Sequence, residues 1–286
     1  MDTTDPSITF DSNGISNHFH DFHNNVKPHW HPNSDGLIHL QQTIDLIKAS
    51  GKYHDFDFAR LELLKLLAEH DVVRVKVAND YSDVEAMCQA DLLVTYTCDE
   101  VPDMAGQARL KSYVEQGGKW FALHATNSVL EWLSHDPPLL RAPRDNKDFM
   151  EVLGSQFLAH PPIEPYRVEV TKPDHPLVQG IEPFDTTDEL YLSEYHGENE
   201  MLLHTKWSGT VDAFQDGDWE TGDDEHAVFY LRPYGQGMVL YLTLGHCRST
   251  YDMQPLVEEY PVLERGSWEV PAYYELLRRG IAWGIQ

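Results

Sequence analysis

The sequence predicts an α/β fold built on a mostly parallel sheet, and three observations lead to it. Short apolar stretches alternate along the chain with stretches whose apolar residues recur at helical spacing. Residues 91–97 (DLLVTYT) are continuously apolar between polar ends, which is typical of a strand covered on both faces. The helix predicted over 103–118 ends in a Gly-Gly pair, a common stop signal, and the apolar run that follows predicts another strand.

The remaining elements have local signals of their own. Residues 57–70 carry leucines at helical spacing, whereas residues 71–78 (DVVRVKVA) alternate as a strand does. Two strand-like runs around a Gly-containing turn predict a β-hairpin over 226–246, and Pro271 suits the first turn of a closing helix. The predicted order is strand 43–50, helix 57–70, strand 71–78, helix 83–90, strand 91–97, helix 103–118, strands 119–125, 165–172 and 200–207, the hairpin, and helix 271–286.

The first 42 residues differ from the rest of the chain. They are rich in Asn, Asp, His and Pro and show no periodicity, so we predict an N-terminal arm over 1–42 and one α/β domain over 43–286. A loop insertion over the site is predicted for 135–150, whose basic residues stand out in an acidic chain: Arg141, Arg144 and Lys147.

Composition narrows the function classes. The 47 Asp and Glu residues outnumber the 21 Lys and Arg, and the net charge of -26 would repel nucleic acid and anionic membranes, so neither is expected as a partner. No stretch of about eighteen apolar residues predicts a membrane span, and no secretory signal is visible. Three cysteines without motif spacing indicate reduced thiols in a cytoplasmic protein. A homo-oligomer is compatible with the sequence.

Polar side chains follow several predicted strands, at the edge where parallel sheets bind ligands. Three of these strand ends deliver a histidine, namely His54, His124 and His246, and we expect the three imidazoles to share one site. His124 stands at a sharp strand-to-helix turn, where many α/β enzymes place a nucleophile. The other polar residues expected at this edge are Tyr53, Asp55, Cys98, Asn127 and Arg248.

Seven segments in order resemble the ThuA-like (trehalose-utilisation) family over about Thr43 to Gln286. They are SGKYHDFDFARLELLKLLAEH, ADLLVTYTCDE, YVEQGGKWFALHATNS, VLGSQFLAHPP, DHPLVQGIEPFDTTDELY, YGQGMVLYLTLGH and LLRRGIAWG. The resemblance implies a fold similar to class I glutamine amidotransferases, a flavodoxin-like three-layer α/β/α sandwich with an added β-hairpin. In those amidotransferases the turn carries a nucleophilic Cys, whereas this chain has His124 there, so a thiol nucleophile is not expected.

The resemblance adds further site residues. Phe157 and His160 match one family segment, and Asp188, Glu189 and Tyr191 match another. Glu189 is the carboxylate expected in the site, while His160 is expected either to join the site or to cap a turn. His175 also falls in a family segment, but its Asp-His-Pro context predicts turn chemistry.

The resemblance also implies sugar chemistry, with 3-oxo derivatives of trehalose and related glycosides as substrates. A ketone at C3 acidifies the hydrogen at C2, and its removal leads to glycosidic cleavage or to isomerisation. His54, His124, Glu189 and His246 are the expected catalytic residues, as base and as ligands of a divalent metal such as zinc, or of the oxyanion. No nucleotide cofactor is expected. The alternatives are a non-catalytic sugar sensor and a hydrolase that uses Cys98.

Two further groups of residues are open to more than one interpretation. In an extended arm His18 and His20 would share a face and chelate a metal, or the arm would act as a lid, or its histidines would have no role. Four aromatic residues are either platforms for a sugar ring or part of the core: Trp120, Trp132, Tyr191 and Trp207.

Overall fold

The computed structural model describes residues 5–30, 32–34, 36–37, 53–221, 224–253, 257 and 260–286. The chain divides into two compact units, residues 1–50 and 51–286. The predicted strand 43–50 and the predicted boundary of the arm at residue 42 lie outside the described residues. The division into an arm and one domain therefore stays a prediction.

The first unit contains a short helix rather than an extended segment. Helix α1 (Asn17–Asp21) begins after Ser16, whose hydroxyl accepts a hydrogen bond from the backbone of the first turn, and one wider and one tighter helical turn continue it to His29. Side chains two residues apart do not face each other on a helix, so the extended pair expected for His18 and His20 is wrong.

Separate carboxylates contact these two imidazoles. Nε2 of His18 lies 2.8 Å from Asp5 Oδ2, and Nε2 of His20 lies 3.0 Å from Asp11 Oδ2. Each histidine is thus engaged by its own acid within the unit.

The second unit contains a seven-stranded sheet in the order β1-β2-β11-β10-β9-β6-β7, and two two-stranded sheets, β3-β4 and β5-β8. The strands are β1 (Leu92–Tyr96), β2 (Lys119–Leu123), β3 (Glu131–His135), β4 (Pro138–Arg141), β5 (Ser155–Ala159), β6 (Glu164–Val170), β7 (Phe184–Asp188), β8 (Leu192–Tyr195), β9 (Glu200–Lys206), β10 (Glu225–Tyr234) and β11 (Gly237–Leu242). The helices are α2 (Phe56–Leu67), α3 (Val84–Met87), α4 (Met104–Glu115), α5 (Lys147–Leu153) and α6 (Pro271–Gly284), with short turns of 3-10 helix at His124–Asn127 and Gly266–Glu269.

The large sheet is mixed, and the prediction of a mostly parallel sheet is wrong. Only β1, β2 and β11 run parallel to one another, while β11, β10, β9, β6 and β7 form successive antiparallel pairs. The predicted hairpin is present: Gly235, with its φ of 61°, and Gln236 join β10 to β11. Strands β9, β6 and β7, which precede the hairpin in the chain, extend the sheet on its antiparallel side. A flavodoxin-like sandwich is therefore not confirmed, although the α/β class is.

Helices cover both faces of the sheet at its centre. Phe121 and Leu123 of β2 pack with α2 and α6, whereas Trp120 and Ala122 of the same strand pack with α4 and α5. Alternate residues of one strand point to opposite faces, so both faces of β2 are buried in apolar side chains. This arrangement explains the continuous apolar runs of the central strands.

Two sequence predictions fail outside the core. Residues 71–78 form no strand, and Val72 in that segment is 90% exposed, so its alternating pattern lacks a buried face. The predicted loop over 135–150 instead contains the end of β3, the whole of β4 and the start of α5. Among the described residues no helix is both long enough and apolar enough to cross a membrane.

Gly280 offers a test of the packing of α6 on the sheet. A Cβ added there would overlap the ring of the fully buried Phe121. Gly280→Ala is therefore expected to lower the free energy of unfolding by up to about 2 kcal/mol, because overpacking by about 1–3 kcal/mol outweighs the roughly 1 kcal/mol that alanine gains in a helix. Urea unfolding measures the change. In a Phe121→Leu background the loss should shrink, and a Gly280→Ala protein more stable than the parent would contradict the packing.

Candidate functional site

Three histidines and one glutamate form a compact buried group. Each of His54, His124, Glu189 and His246 offers one ligand atom, and these four atoms all lie within 4.8 Å of one another. The imidazole of His54 is centred 4.7 Å from that of His124 and 5.3 Å from that of His246. We call these four residues the histidine–glutamate centre. The expected convergence of the three imidazoles and Glu189 is what the geometry shows; their roles are a separate question.

The centre is assembled from distant parts of the chain. His54 lies just before α2, His124 follows β2, Glu189 follows β7, and His246 lies four residues after β11. Both parallel and antiparallel strands therefore contribute residues to the centre. The rule that ligands bind at the carboxyl ends of parallel strands accounts for His124 and His246 but not for Glu189.

The backbone of His124 is held in a left-handed conformation, with a φ of 44°. The hydroxyl of Tyr241 donates to the carbonyl of His124 at 2.7 Å and accepts the N–H of Asn127 at 2.9 Å. A left-handed residue with a side chain is strained, by about 1–2 kcal/mol, and these bonds stabilise it. The turn thereby directs the imidazole into the centre.

Hydrogen bonding fixes which nitrogen of His124 faces Glu189. Nδ1 lies 2.8 Å from the carbonyl oxygen of Thr243, which only accepts, so Nδ1 carries the proton. Nε2 lies 3.4 Å from Glu189 Oε2 and 3.4 Å from the hydroxyl of Tyr191. In the neutral imidazole a lone pair thus faces a carboxylate oxygen, and such a pair of acceptors needs a proton or a cation between them.

His246 is arranged in the same way around the other oxygen of Glu189. Its Nε2 donates to Glu264 Oε2 at 2.8 Å, while its Nδ1 lies 3.1 Å from Glu189 Oε1 without hydrogen-bond alignment. Nδ1 of His54 is likewise buried and has no hydrogen-bond partner. Two members of the centre, His54 and His246, thus each have a buried nitrogen without a hydrogen-bond partner.

Electrostatics gives the members of the centre different charges. Burial raises the pKa of Glu189, but His246 and His160 outweigh it and hold that pKa well below its usual value, so Glu189 is ionised. Burial holds the pKa of His54 well below its usual value, so this ring is neutral. Burial would also lower the pKa of His246, yet its two carboxylate neighbours raise it to about 9. A proton on His246 and a cation bound in the centre are thus alternatives.

Asp188 fixes the backbone around the centre. Its Oδ1 accepts the N–H groups of Glu189 and His246, and its Oδ2 accepts those of Gly245 and Ser267, at 2.8–3.1 Å. Asp188 was expected to bind substrate, but both carboxylate oxygens are engaged by the backbone. The structure therefore places it behind Glu189 as a support.

Three other expected residues also make internal contacts. Asp55 caps α2 through the N–H of Phe58 and lies 3.1 Å from the guanidinium of Arg265. The carbonyl of Tyr53 accepts from Arg248 at 2.9 Å, and a second nitrogen of Arg248 lies 3.6 Å from Glu189. These contacts hold the segment that carries His54.

Aromatic and apolar side chains line one side of the centre. The ring of Tyr191 is centred 5.0 Å from His124 and 4.6 Å from Phe157, and Cys98 is buried in the same apolar cluster. Asn127, next to this cluster, donates to Ser155 at 2.7 Å, and its buried Oδ1 has no hydrogen-bond partner.

The three tryptophans considered as platforms for a sugar ring lie in two different environments. Trp120 is fully buried beneath the sheet and donates to Thr95, so it belongs to the core. Trp132 and Trp207 pack at the edge of the cluster that contains Tyr191 and Phe157. Trp219 packs against the same cluster.

His160 lies beside the centre, whereas His175 lies in a turn. Nε2 of His160 lies 4.0 Å from Glu189 Oε1, and 26% of its side chain is exposed, so it lies between the centre and solvent. His175 accepts the N–H of Leu177 in a turn, as the sequence indicated.

Sequence reasoning missed Glu264. Its carboxylate contacts both His246 and Arg248, at 2.8 and 3.0 Å. No local pattern around residue 264 marks it, because its role depends on contacts with residues 16 and 18 positions earlier in the chain.

Fold and site together define an α/β domain with a buried histidine–glutamate centre at its strand ends. Residues 41–260 match the ThuA family, described as trehalose utilisation, and the chain belongs to that family. A ThuA-like protein from Bacteroides uniformis has a similar structure, with a TM-score of 0.55 and 18% identity over 80% of this chain and 83% of that one. A ThuA-like protein from Parabacteroides merdae gives 0.53 and 16% over 81% and 85%. No curated protein sequence matches significantly.

The support by Asp188 is testable with a matched pair of variants. Asp188→Asn removes one of two acceptor oxygens and the charge, and should lower the free energy of unfolding by about 3 kcal/mol, because buried N–H groups lose a charged partner. The control is Asp185→Asn on the same strand, where an exposed carboxylate lies 3.3 Å from Arg167; this substitution should change stability by less than about 1 kcal/mol. Urea unfolding of both variants measures the two changes in the free energy of unfolding. Equal changes would contradict the supporting role of Asp188.

Proposed function

We propose that this protein is an enzyme of carbohydrate metabolism that acts on 3-oxo-glycosides related to trehalose by removing the proton next to the ketone. The observation that carries the proposal is the buried histidine–glutamate centre, in which an ionised carboxylate faces the inner nitrogens of His124 and His246. Membership of a family described as trehalose utilisation supports a sugar as the substrate class.

The donor set of the centre fits a divalent metal. Nδ1 of His54 and Nδ1 of His246 are buried without hydrogen-bond partners. Glu189 supplies an anionic oxygen 3.1 Å from Nδ1 of His246, and His54 offers a ligand atom to the same group. Imidazole and carboxylate are the ligands that zinc takes in catalytic sites, where three protein ligands leave one position open. We assign His54, Glu189 and His246 as the residues that would hold the ion. When bound, such an ion supplies Lewis-acid stabilisation of an enolate oxygen.

His124 is assigned as the base, because its environment differs from that of the other two histidines. The carbonyl of Thr243 keeps the proton on Nδ1, and Nε2 has the Tyr191 hydroxyl beside it as well as Glu189. In the proposed step the C2–H bond breaks, Nε2 takes the proton, and the electron pair forms the C2–C3 double bond of an enolate. The enolate then expels the C1 oxygen substituent, which takes up a proton, and water adds to the product; reprotonation instead gives isomerisation.

The walls of the centre suit a sugar. Tyr191 and Phe157 offer apolar ring faces beside His124, and Trp132 and Trp207 lie at the edge of the same cluster. Sugar C–H faces pack on aromatic rings, while the partly exposed imidazole of His160 lies between Glu189 and solvent. We propose these residues as the substrate-binding surface.

The variant that tests the base is His124→Asn, because asparagine tolerates the left-handed backbone better than alanine does. Cleavage of 3-oxo-trehalose, followed by release of reducing sugar with zinc, manganese or cobalt present, should fall by at least about 100-fold, since a general base is lost. The control is His175→Asn in a turn, which should leave turnover unchanged.

Other outcomes of this experiment are informative. Near-normal turnover by a folded His124→Asn protein would remove His124 from the chemistry. If the unmodified protein binds 3-oxo-glycosides but turns none over with any of these metals, the enzyme proposal fails and a sugar sensor is the better account.

Metal loading gives an independent test. Untagged protein equilibrated with zinc and passed through a desalting column should retain one equivalent by elemental analysis, and Glu189→Ala should lose it, because an anionic ligand is removed. A double variant, His18→Ala with His20→Ala, should retain the metal, since these histidines contact carboxylates of the first unit. Retention by Glu189→Ala together with loss in the double variant would place the metal on the arm.

A further inference from the structure

His246 has an inner and an outer nitrogen, and the outer one is held by a residue outside the centre. Nδ1 lies 3.1 Å from Glu189, while Nε2 donates to Glu264 Oε2 at 2.8 Å. A carboxylate on the outer nitrogen keeps a proton there and fixes the plane of the ring. The inner nitrogen is then free to present its lone pair to the centre.

Glu264 is itself held on several sides. The backbones of Glu264 and Arg248 exchange two hydrogen bonds of 2.9 Å each, so the two residues lie opposite one another. The guanidinium of Arg248 donates to Glu264 Oε2 at 3.0 Å, and the hydroxyl of Tyr260 donates to Oε1 at 3.4 Å. A single oxygen, Oε2, thus accepts from both His246 and Arg248, and its position is determined by the backbone pair.

The segment that carries Glu264 also contacts the neighbours of other members of the centre. Arg265 lies 3.1 Å from Asp55, the residue after His54. The N–H of Ser267 donates to Asp188, the residue before Glu189, at 2.9 Å. The indole of Trp268 donates to the carbonyl of Gly245, the residue before His246, at 2.8 Å. Residues 264–268 therefore brace three of the four members of the centre, and they lie beyond the family match, which ends at residue 260.

We propose that Glu264 is a positioning residue, which orients His246 so that Nδ1 faces Glu189 and His54 and the centre can take a divalent cation. The proposal rests on the proposed function, because it assigns Glu264 a task in the same centre. Glu264 touches neither the inner nitrogens nor Glu189, so its effect passes through His246 and Arg248.

The variants are chosen to separate hydrogen bonding from packing. Glu264→Met keeps a side chain of similar length but offers no strong acceptor to His246. Glu264→Gln keeps one acceptor oxygen, which can take both hydrogen bonds that Oε2 takes now. Tyr260→Phe is the control, because it removes only the long contact to Oε1.

The experiment is a cobalt titration of the full-length, untagged protein, followed by the visible absorption of bound Co²⁺ and checked for folding by circular dichroism. Glu264→Met should weaken cobalt binding by about 10–100-fold and alter the absorption bands, because loss of an outer partner affects metal sites by that factor. Glu264→Gln should restore binding to within about fivefold, since a neutral acceptor replaces a charged one. Tyr260→Phe should bind as the unmodified protein does.

The outcomes distinguish the two proposals. If the unmodified protein binds cobalt and a folded Glu264→Met protein binds it equally well with the same spectrum, the positioning role of Glu264 is overturned while the centre stands. If the unmodified protein binds no divalent cation, the metal assignment of the centre falls and the role of Glu264 falls with it. If Glu264→Met does not fold, Glu264→Asp takes its place, and unchanged affinity in that variant also overturns the proposal.

Discussion

The arrangement of the site depends on one buried carboxylate, that of Asp188. It accepts four backbone N–H groups from three segments: the residue after β7, the residues after β11, and the turn before α6. Each of these N–H groups would otherwise be buried without a partner, which is unfavourable by about 1–3 kcal/mol per group. By joining the three segments, Asp188 places Glu189 beside His246. Without that join, an ionised glutamate and two imidazoles would have no reason to occupy one small volume.

Burying so much charge requires compensation, and the chain supplies it locally. Asp188 is balanced by backbone dipoles, Glu264 by Arg248 and His246, and Asp55 by Arg265. Glu189 is different, because its nearest partners are the inner nitrogens of His246 and His124 rather than an arginine at hydrogen-bonding distance. A buried carboxylate is stabilised only when a proton or a cation is shared with such neighbours. This difference sets Glu189 apart from the supporting acids and is the physical reason to regard it as the reactive or metal-binding one.

Much of the secondary structure and most of the centre could be predicted from the sequence, and the predictions that failed did so for physical reasons. Apolar periodicity gave β1, β2, α2, α4 and α6, and the ends of predicted strands gave His54, His124 and His246, because both signals are local. The strand predicted before His54 lies outside the described residues. The direction of β6 and β9 was not predictable, since a strand pattern does not encode which neighbour it pairs with, and β7 was not predicted as a strand. Residues 71–78 alternate between apolar and polar residues but form no strand, because the apolar side chains have no face of the fold to pack against. Glu264 was not predicted because its partners are distant in sequence. Asp188 was predicted to bind substrate, which stays a prediction, and its four contacts with backbone N–H groups have no local sequence signal.

The turn at His124 connects the fold with the proposed chemistry. A left-handed histidine is strained, and the structure stabilises it with the Tyr241 hydroxyl on its carbonyl and the Thr243 carbonyl on its Nδ1. Both partners belong to β11 or follow it directly, so the strand that pairs with β2 also fixes the orientation and the tautomer of the imidazole. His246 comes three residues after Thr243 on the same segment. The positions of the proposed base and of one proposed metal ligand are therefore set by a single pair of parallel strands, and a shift in their register would move one relative to the other.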